Sequence, residues 1–391
     1  MPTEPTDSRR RPIRHRRGLA CAALAAAVVL TATGCEPDGS VNSADAAPST
    51  TGAPAATAST ATAGAKPGLV LPTGLREIAN WKPDDWRRFV DDNVFRNEVV
   101  KGFWDAARME EAKGRETPKL STHSAGSDFR PPAAIPAKAA THPYGRNAAV
   151  LGKIFMTTPE GASMCSGTVV TDPANPGRSN LVYTAAHCLH DGTGGGWLKD
   201  ITFVPLYNRD GLAGRGRKYT EAQVSPYGRW VATGALVSPT WVKESGVGAN
   251  NQFDYGIIKV RNENGGDTSL EETVGSSVPI WFNAPREQIT SAFSYGYPAD
   301  QPFDGMELNH CDSAVRPAAL SFDRARPEMY VIGCTMTGGS SGGGWFVTRD
   351  GRPALISVNS IGPVDEPTWM AGPSLQDNAK QAFEYFSRTA K

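Results

Sequence analysis

"CTMTGGSSGGGW", residues 334–345, sets two adjacent serines among five glycines, with a cysteine just upstream. Glycines of this density can form a flexible linker, a phosphate cradle or a turn that presents a nucleophile. A phosphate-binding loop wants a lysine after its glycines, and none follows here. The choice between linker and nucleophile turn then depends on whether the rest of the chain supplies a base and a group to orient it.

Two other stretches do. "CSGTVVT" (165–171) is followed by "YTAAHC" (183–188), which holds His187, and "FDYGIIKV" (253–260) opens on Asp254. A serine hydroxyl is a weak nucleophile until a base takes its proton, and imidazole has a pKa suited to that near neutrality. The imidazole needs a buried carboxylate to fix its tautomer. Asp254 heads an apolar strand, where a carboxylate can be buried, whereas Asp191, Asp210, Asp267 and Asp304 sit in polar, glycine-rich turn contexts. Of the six histidines, His15, His123, His142, His190 and His310 read as structural or surface groups.

On these motifs, the chain from about 146 to 390 resembles the trypsin-like serine peptidases. "TAAHC" is the signature around that family's catalytic histidine. "CSGTVV" matches the strand whose cysteine pairs with the one after it, "DYGIIKV" matches the strand led by the catalytic aspartate, and "GSSGGG" stands where the family has Gly-Asp-Ser-Gly-Gly-Pro. The resemblance implies an all-β chymotrypsin-like fold of two Greek-key six-stranded β-barrels with a C-terminal helix. It implies an endopeptidase working through an acyl-enzyme, with His187, Asp254 and a serine as triad. Gly-x before and Gly-Gly after fit Ser341 and not Ser340. Backbone N–H groups of Gly339 and Ser341 are then the expected oxyanion donors. Disulfides are expected at Cys165–Cys188 and Cys311–Cys334, and no metal or cofactor is called for.

Where this chain departs from the family, consequences follow. Ser340 replaces the aspartate that receives a new N-terminal ammonium, so activation by that ion pair is not expected. Thr335, six positions before the nucleophile, is the expected pocket base, and its lack of charge argues against Arg or Lys preference. Relatives that cut after Glu use a histidine beyond the serine, and none follows His310 here. "ISVNS" (356–360) is the expected substrate-pairing strand, with Asn359 near the pocket. Ser340 and Gly344, which replaces the family's proline, also leave open an inactive surface-binding domain. The pattern Gly339-x-Ser341-x-Gly343 fits the α/β-hydrolase elbow too, but that fold needs a histidine after the serine. A metal hydrolase lacks its His/Glu cluster.

The N-terminal part reads as an export and anchoring apparatus. Six arginines crowd the first 17 positions and a weakly apolar run spans 18–34, the outline of a signal peptide. "ATGC" (32–35) resembles a lipobox. With Cys21 lost in the signal, five cysteines remain, and lipidation of Cys35 accounts for the odd one; cleavage after Gly34 to a soluble product is the alternative. The expected organisation is signal 1–34, Ala/Thr/Ser/Gly tether 35–67, helical or pro-like segment 68–145, and peptidase domain 146–391. Aromatic spacing predicts a helix over 83–113, opened by Asp84 or Asp85 and ended by Gly114. Another is predicted over 374–390 with a Ser374/Asp377 capping box. Lys+Arg and Asp+Glu balance at 40 each, so no global field points to nucleic acid. The expected partner is a protein or peptide substrate, with membrane contact through the lipid anchor only.

Overall fold

The computed structural model describes residues 78, 80–115, 119–120, 129–214, 216–244, 249–314, 316–363 and 365–390. The signal, Cys35 and the tether lie outside the described residues, and everything below belongs to the unit Ala65–Lys391. Three short strands come first: β1 (Lys113–Gly114), β2 (Lys119–Leu120) and β3 (Lys138–Ala139).

The first half is a closed barrel of β4 (Leu151–Thr158), β5 (Gly161–Val170), β6 (Leu181–Thr184), β7 (Lys199–Pro205), β8 (Trp230–Val237) and β9 (Gly256–Asn262). The order β5-β4-β7-β8-β9-β6 returns to β5 by a β5–β6 pairing, and every one of these pairings is antiparallel. Closure leaves the start of β5 as an edge, because β6 pairs only with residues 168–170. Register shifts in β4/β7 and β8/β9 bend the strands into the curve. Ile154, Val169, Val182, Phe203 and Ile258 are fully buried inside.

The second half holds β10 (Ala292–Gly296), β11 (Asn309–Ser313), β12 (Ala318–Leu320), β13 (Met329–Gly333), β14 (Gly344–Arg349), β15 (Arg352–Val358), β16 (Gly362–Pro363) and β17 (Trp369–Gly372). Here the expected single closed barrel is replaced by a five-stranded sheet, β15-β14-β10-β11-β3, and a three-stranded one, β12-β13-β17. The reason lies before residue 146. β3 pairs with β11, and just upstream Thr335 N–H donates to the Ile135 carbonyl while Ala137 N–H donates to the Thr335 hydroxyl. Residues 135–139 thus line the edge of β11 and the stretch after β13. Both expected disulfides form, and Cys311–Cys334 ties β11 to that stretch. Each links residues 23 apart in sequence, worth on the order of 3 kcal/mol through loop entropy.

The predicted 83–113 helix is two helices, Pro83–Asp92 and Ala106–Glu111, joined by non-helical chain. The first ends at Asn93, whose backbone leaves helical geometry (φ −121°, ψ 56°) and whose side-chain N–H caps the Phe89 carbonyl. Beyond it, the Asn97 amide donates to the Ile201 and Ala232 carbonyls and accepts from Ile201 N–H, docking the chain on β7 and β8. Asp84 and Asp85 lie in the first turn and Lys82 takes the cap position. Trp86, Phe89, Trp104 and Met109 are buried in the same core as the first barrel. The last helix, predicted over 374–390, runs Asp377–Thr389 and buries Ala379, Ala382, Phe383 and Phe386. Its capping box does not form: Asp377 accepts from the Asn283 amide, and Ser374 accepts from Gln376.

Candidate active site

His187 sits in a single turn of helix, Ala186–Cys188, directly after β6. The Cys165–Cys188 bridge pins that turn to β5. Asp254 lies two residues ahead of β9, fully buried, and reaches His187 twice. Oδ2 is 2.7 Å from Nδ1, and Oδ1 accepts the backbone N–H at 2.9 Å. The Ser360 hydroxyl donates to Oδ2 at 2.6 Å. Burial pushes the Asp254 carboxyl up, but the charge and hydrogen bond of His187, the Ser360 hydroxyl and the His187 N–H outweigh it. The pKa lies below the ordinary carboxylate value. Carboxylate and imidazole are therefore locked in one orientation with Nε2 left free.

The glycine stretch is a tight turn between the two halves, which answers the linker question. Gly339 and Gly342 have φ of 91° and 76°, the left-handed region that glycine enters without strain. A Cβ on Gly342 would fall 2.0 Å from the Thr184 hydroxyl. From the first barrel, Ser166 donates its N–H to the Ser341 carbonyl and its hydroxyl to the Gly339 carbonyl. From the second half, Asn359 backs the turn. Its amide donates to the Ser340 and Tyr295 carbonyls, and its Oδ1 accepts from Ser294 and Trp345. Ser340 turns its hydroxyl inward onto the Thr337 carbonyl at 2.7 Å. Ser341 Oγ and His187 Nε2 are both buried, and neither has a hydrogen-bond partner among the described residues.

Two sequence expectations need correction. Thr335 does not line the cavity of about 200 Å³ beside the turn, which is walled by Met336, Thr337, Gly338, Ile361, Trp369 and Met370 among others. Residues 135–137 cover Thr335 instead. Asn359 is spent on the four bonds above, which hold the turn from behind, and it does not line the cavity beside the turn. The sulfurs near His187 offer no metal ligands, because Cys165 and Cys188 are joined in a disulfide. Gly339, one of the expected oxyanion donors, donates its N–H to the Arg115 carbonyl at 3.3 Å.

Two solved structures share this architecture. A thermostable serine protease, AL20, from an extremophilic microorganism is 32% identical, with the match covering 63% of this chain and 100% of that one at a TM-score of 0.50. The chain belongs to the trypsin-like serine peptidases. The protease Anisep from Arthrobacter nicotinovorans is 29% identical, covering 65% of this chain and 100% of that one, again at a TM-score of 0.50. No family model and no curated protein matches the chain. In this trypsin-like serine peptidase, sequence reasoning assigned no role to Ser360 or Arg115. Ser360 closes "ISVNS" and was visible only as part of a strand. Arg115 lies outside every motif, in the segment treated as preceding the domain.

Proposed function

We propose that the chain is an exported serine endopeptidase with Ser341, His187 and Asp254 as its triad. Ser341 Oγ attacks the carbonyl carbon of a peptide bond, and His187 Nε2 takes its proton. The tetrahedral oxyanion is held by the N–H groups of Gly339 and Ser341, a term worth about 3–4 kcal/mol per donor. His187 passes the proton to the leaving amine, and an acyl-enzyme forms on Ser341. Water then attacks the ester by the reverse proton route. Asp254 keeps the Nδ1 proton in place throughout. The observation that carries this reading is the double hold of Asp254 on His187, beside a glycine turn that contains Ser341.

The same proposal extends to placement: Cys35 carries a lipid, and residues 36–67 hold the peptidase away from the membrane. Two disulfides suit an oxidising compartment.

The test is a set of single variants assayed on a casein-like substrate. Ser341→Ala and His187→Ala each lower turnover by roughly 10⁴ to 10⁶, and the double variant is little worse than either. Ser340→Ala is mild, since its hydroxyl only closes the turn on Thr337. Loss of activity in Ser340→Ala with activity kept in Ser341→Ala overturns the assignment.

A further inference from the structure

Two short pieces of chain, residues 113–115 and Lys119–Leu120, lie against the site described above. β1 adds to the edge of β5 in parallel, Lys113 opposite Ser163 and Gly114 opposite Met164. Arg115 N–H donates to the Met164 carbonyl at 2.8 Å, and the Ser163 hydroxyl donates to the Lys113 carbonyl. Gly114 then lies flat on the nucleophile turn. A Cβ there would come within 2.5 Å of the Gly338 carbonyl carbon and oxygen and 2.8 Å of Gly339 N. The Arg115 carbonyl accepts the Gly339 N–H. Its guanidinium donates to the His187 carbonyl at 2.6 Å and pairs with Asp191 at 2.5 Å.

Past the turn, β2 pairs in parallel with β16, Lys119 opposite Gly362 and Leu120 opposite Pro363. Leu120 is buried in one cluster with Ile361 and Trp369. Upstream, Trp104 and Met109 are buried with the first barrel. The chain is therefore anchored in one half before the turn and in the other half after it.

We propose that residues 113–115, backed by the docking of Lys119–Leu120, act as an intramolecular strap that holds this peptidase inactive, with the Arg115 carbonyl occupying the oxyanion donor of Gly339. The proposal rests on the serine-peptidase reading above. A peptide carbonyl at Gly339 N–H takes the place that a substrate carbonyl needs. Arg115 is nevertheless not seated as a substrate residue: its side chain turns to the His187 carbonyl and Asp191, and it does not line the cavity beside the turn. Ser341 Oγ and His187 Nε2, buried and without a hydrogen-bond partner among the described residues, fit a site closed from above. Because the strap belongs to the same chain, no inhibitor concentration is needed, and reactivity is set by the fraction of molecules with the strap lifted.

Two variants of the full chain lift it by different means. Gly114→Ala places a methyl group where the turn backbone lies, and Arg115→Ala removes the guanidinium contacts to the His187 carbonyl and Asp191. The measurement is the rate at which a fluorophosphonate probe labels Ser341, read beside hydrogen exchange of the peptide spanning 113–120. A strap lifted in about 1–10% of wild-type molecules slows the probe roughly tenfold to a hundredfold, and both variants recover that factor as exchange speeds up. Faster exchange with an unchanged labelling rate overturns the proposal. So does Ser341-dependent cleavage within 113–120, which makes the stretch a substrate. Labelling that survives in Ser341→Ala is a different failure: it sinks the Ser341 assignment, and the strap's inhibitory role with it.

Discussion

A carboxylate taken wholly out of water ordinarily takes up a proton, and Asp254 resists because three donors converge on it: His187 Nδ1–H, His187 N–H and the Ser360 hydroxyl. Its pKa is lowered in the folded protein. The stability this brings is fully present above about pH 4, the unfolded carboxylate value, and is lost as pH falls through the folded pKa. Ser360→Ala removes one donor. Its acid unfolding should begin at higher pH than in the parent, and kcat/KM should fall by about tenfold with KM little changed, as expected for loss of one charge-assisted bond. An unmoved acid limb would show that Ser360 does not hold the carboxylate. Asp254 was legible because it heads an apolar run. Ser360 was not, since its contact joins residues 106 positions apart, and no local pattern marks it. Thr335 was misread for a related reason: the residues that cover it come from 135–137, nearly two hundred positions earlier.

At the scale of elements, the last helix could be read from its periodicity and β5 and β9 from the family motifs, but the segment 83–113 could not. Its aromatics satisfy a helical stripe, yet the chain leaves the helix at Asn93 because side-chain amides take over the hydrogen bonding. Asn97 does so only against β7 and β8, partners invisible to a local window. The result is a block built into the barrel core. Trp104 is fully buried and donates its indole N–H to the Asp200 carbonyl. Trp104→Ala should therefore destabilise the protein by about 3–5 kcal/mol, measured as a drop in the urea midpoint. A segment merely leaning on the surface would change it by less than about 0.5 kcal/mol.

For the whole molecule, the signal-like N-terminus, the lipobox-like "ATGC" and cysteine parity carried the expectations about compartment and anchoring. If the proposed lipid anchor at Cys35 is right, Cys35→Ala should appear in the medium or accumulate as unprocessed precursor, while wild type partitions into detergent; fractionation and mass spectrometry of the mature N-terminus decide it. The two-halved architecture was legible only through the family resemblance carried by the motifs around His187, Asp254 and Ser341. The split of the second half into two sheets was not, because it depends on β3 arriving from before the domain's expected start at 146. That arrival bears on how the protein is made. The chain is synthesised from its N-terminus, and early parts fold first. Residues 83–112 and the first barrel can condense as soon as β9 emerges, but Ala137 and the strand beside it must wait for partners up to 198 positions downstream. Until then the nascent chain carries an unpaired strand, and long-range pairing of this kind is slow. A gene trimmed to begin at 146 would spare the ribosome that wait and would yield a second half missing its edge.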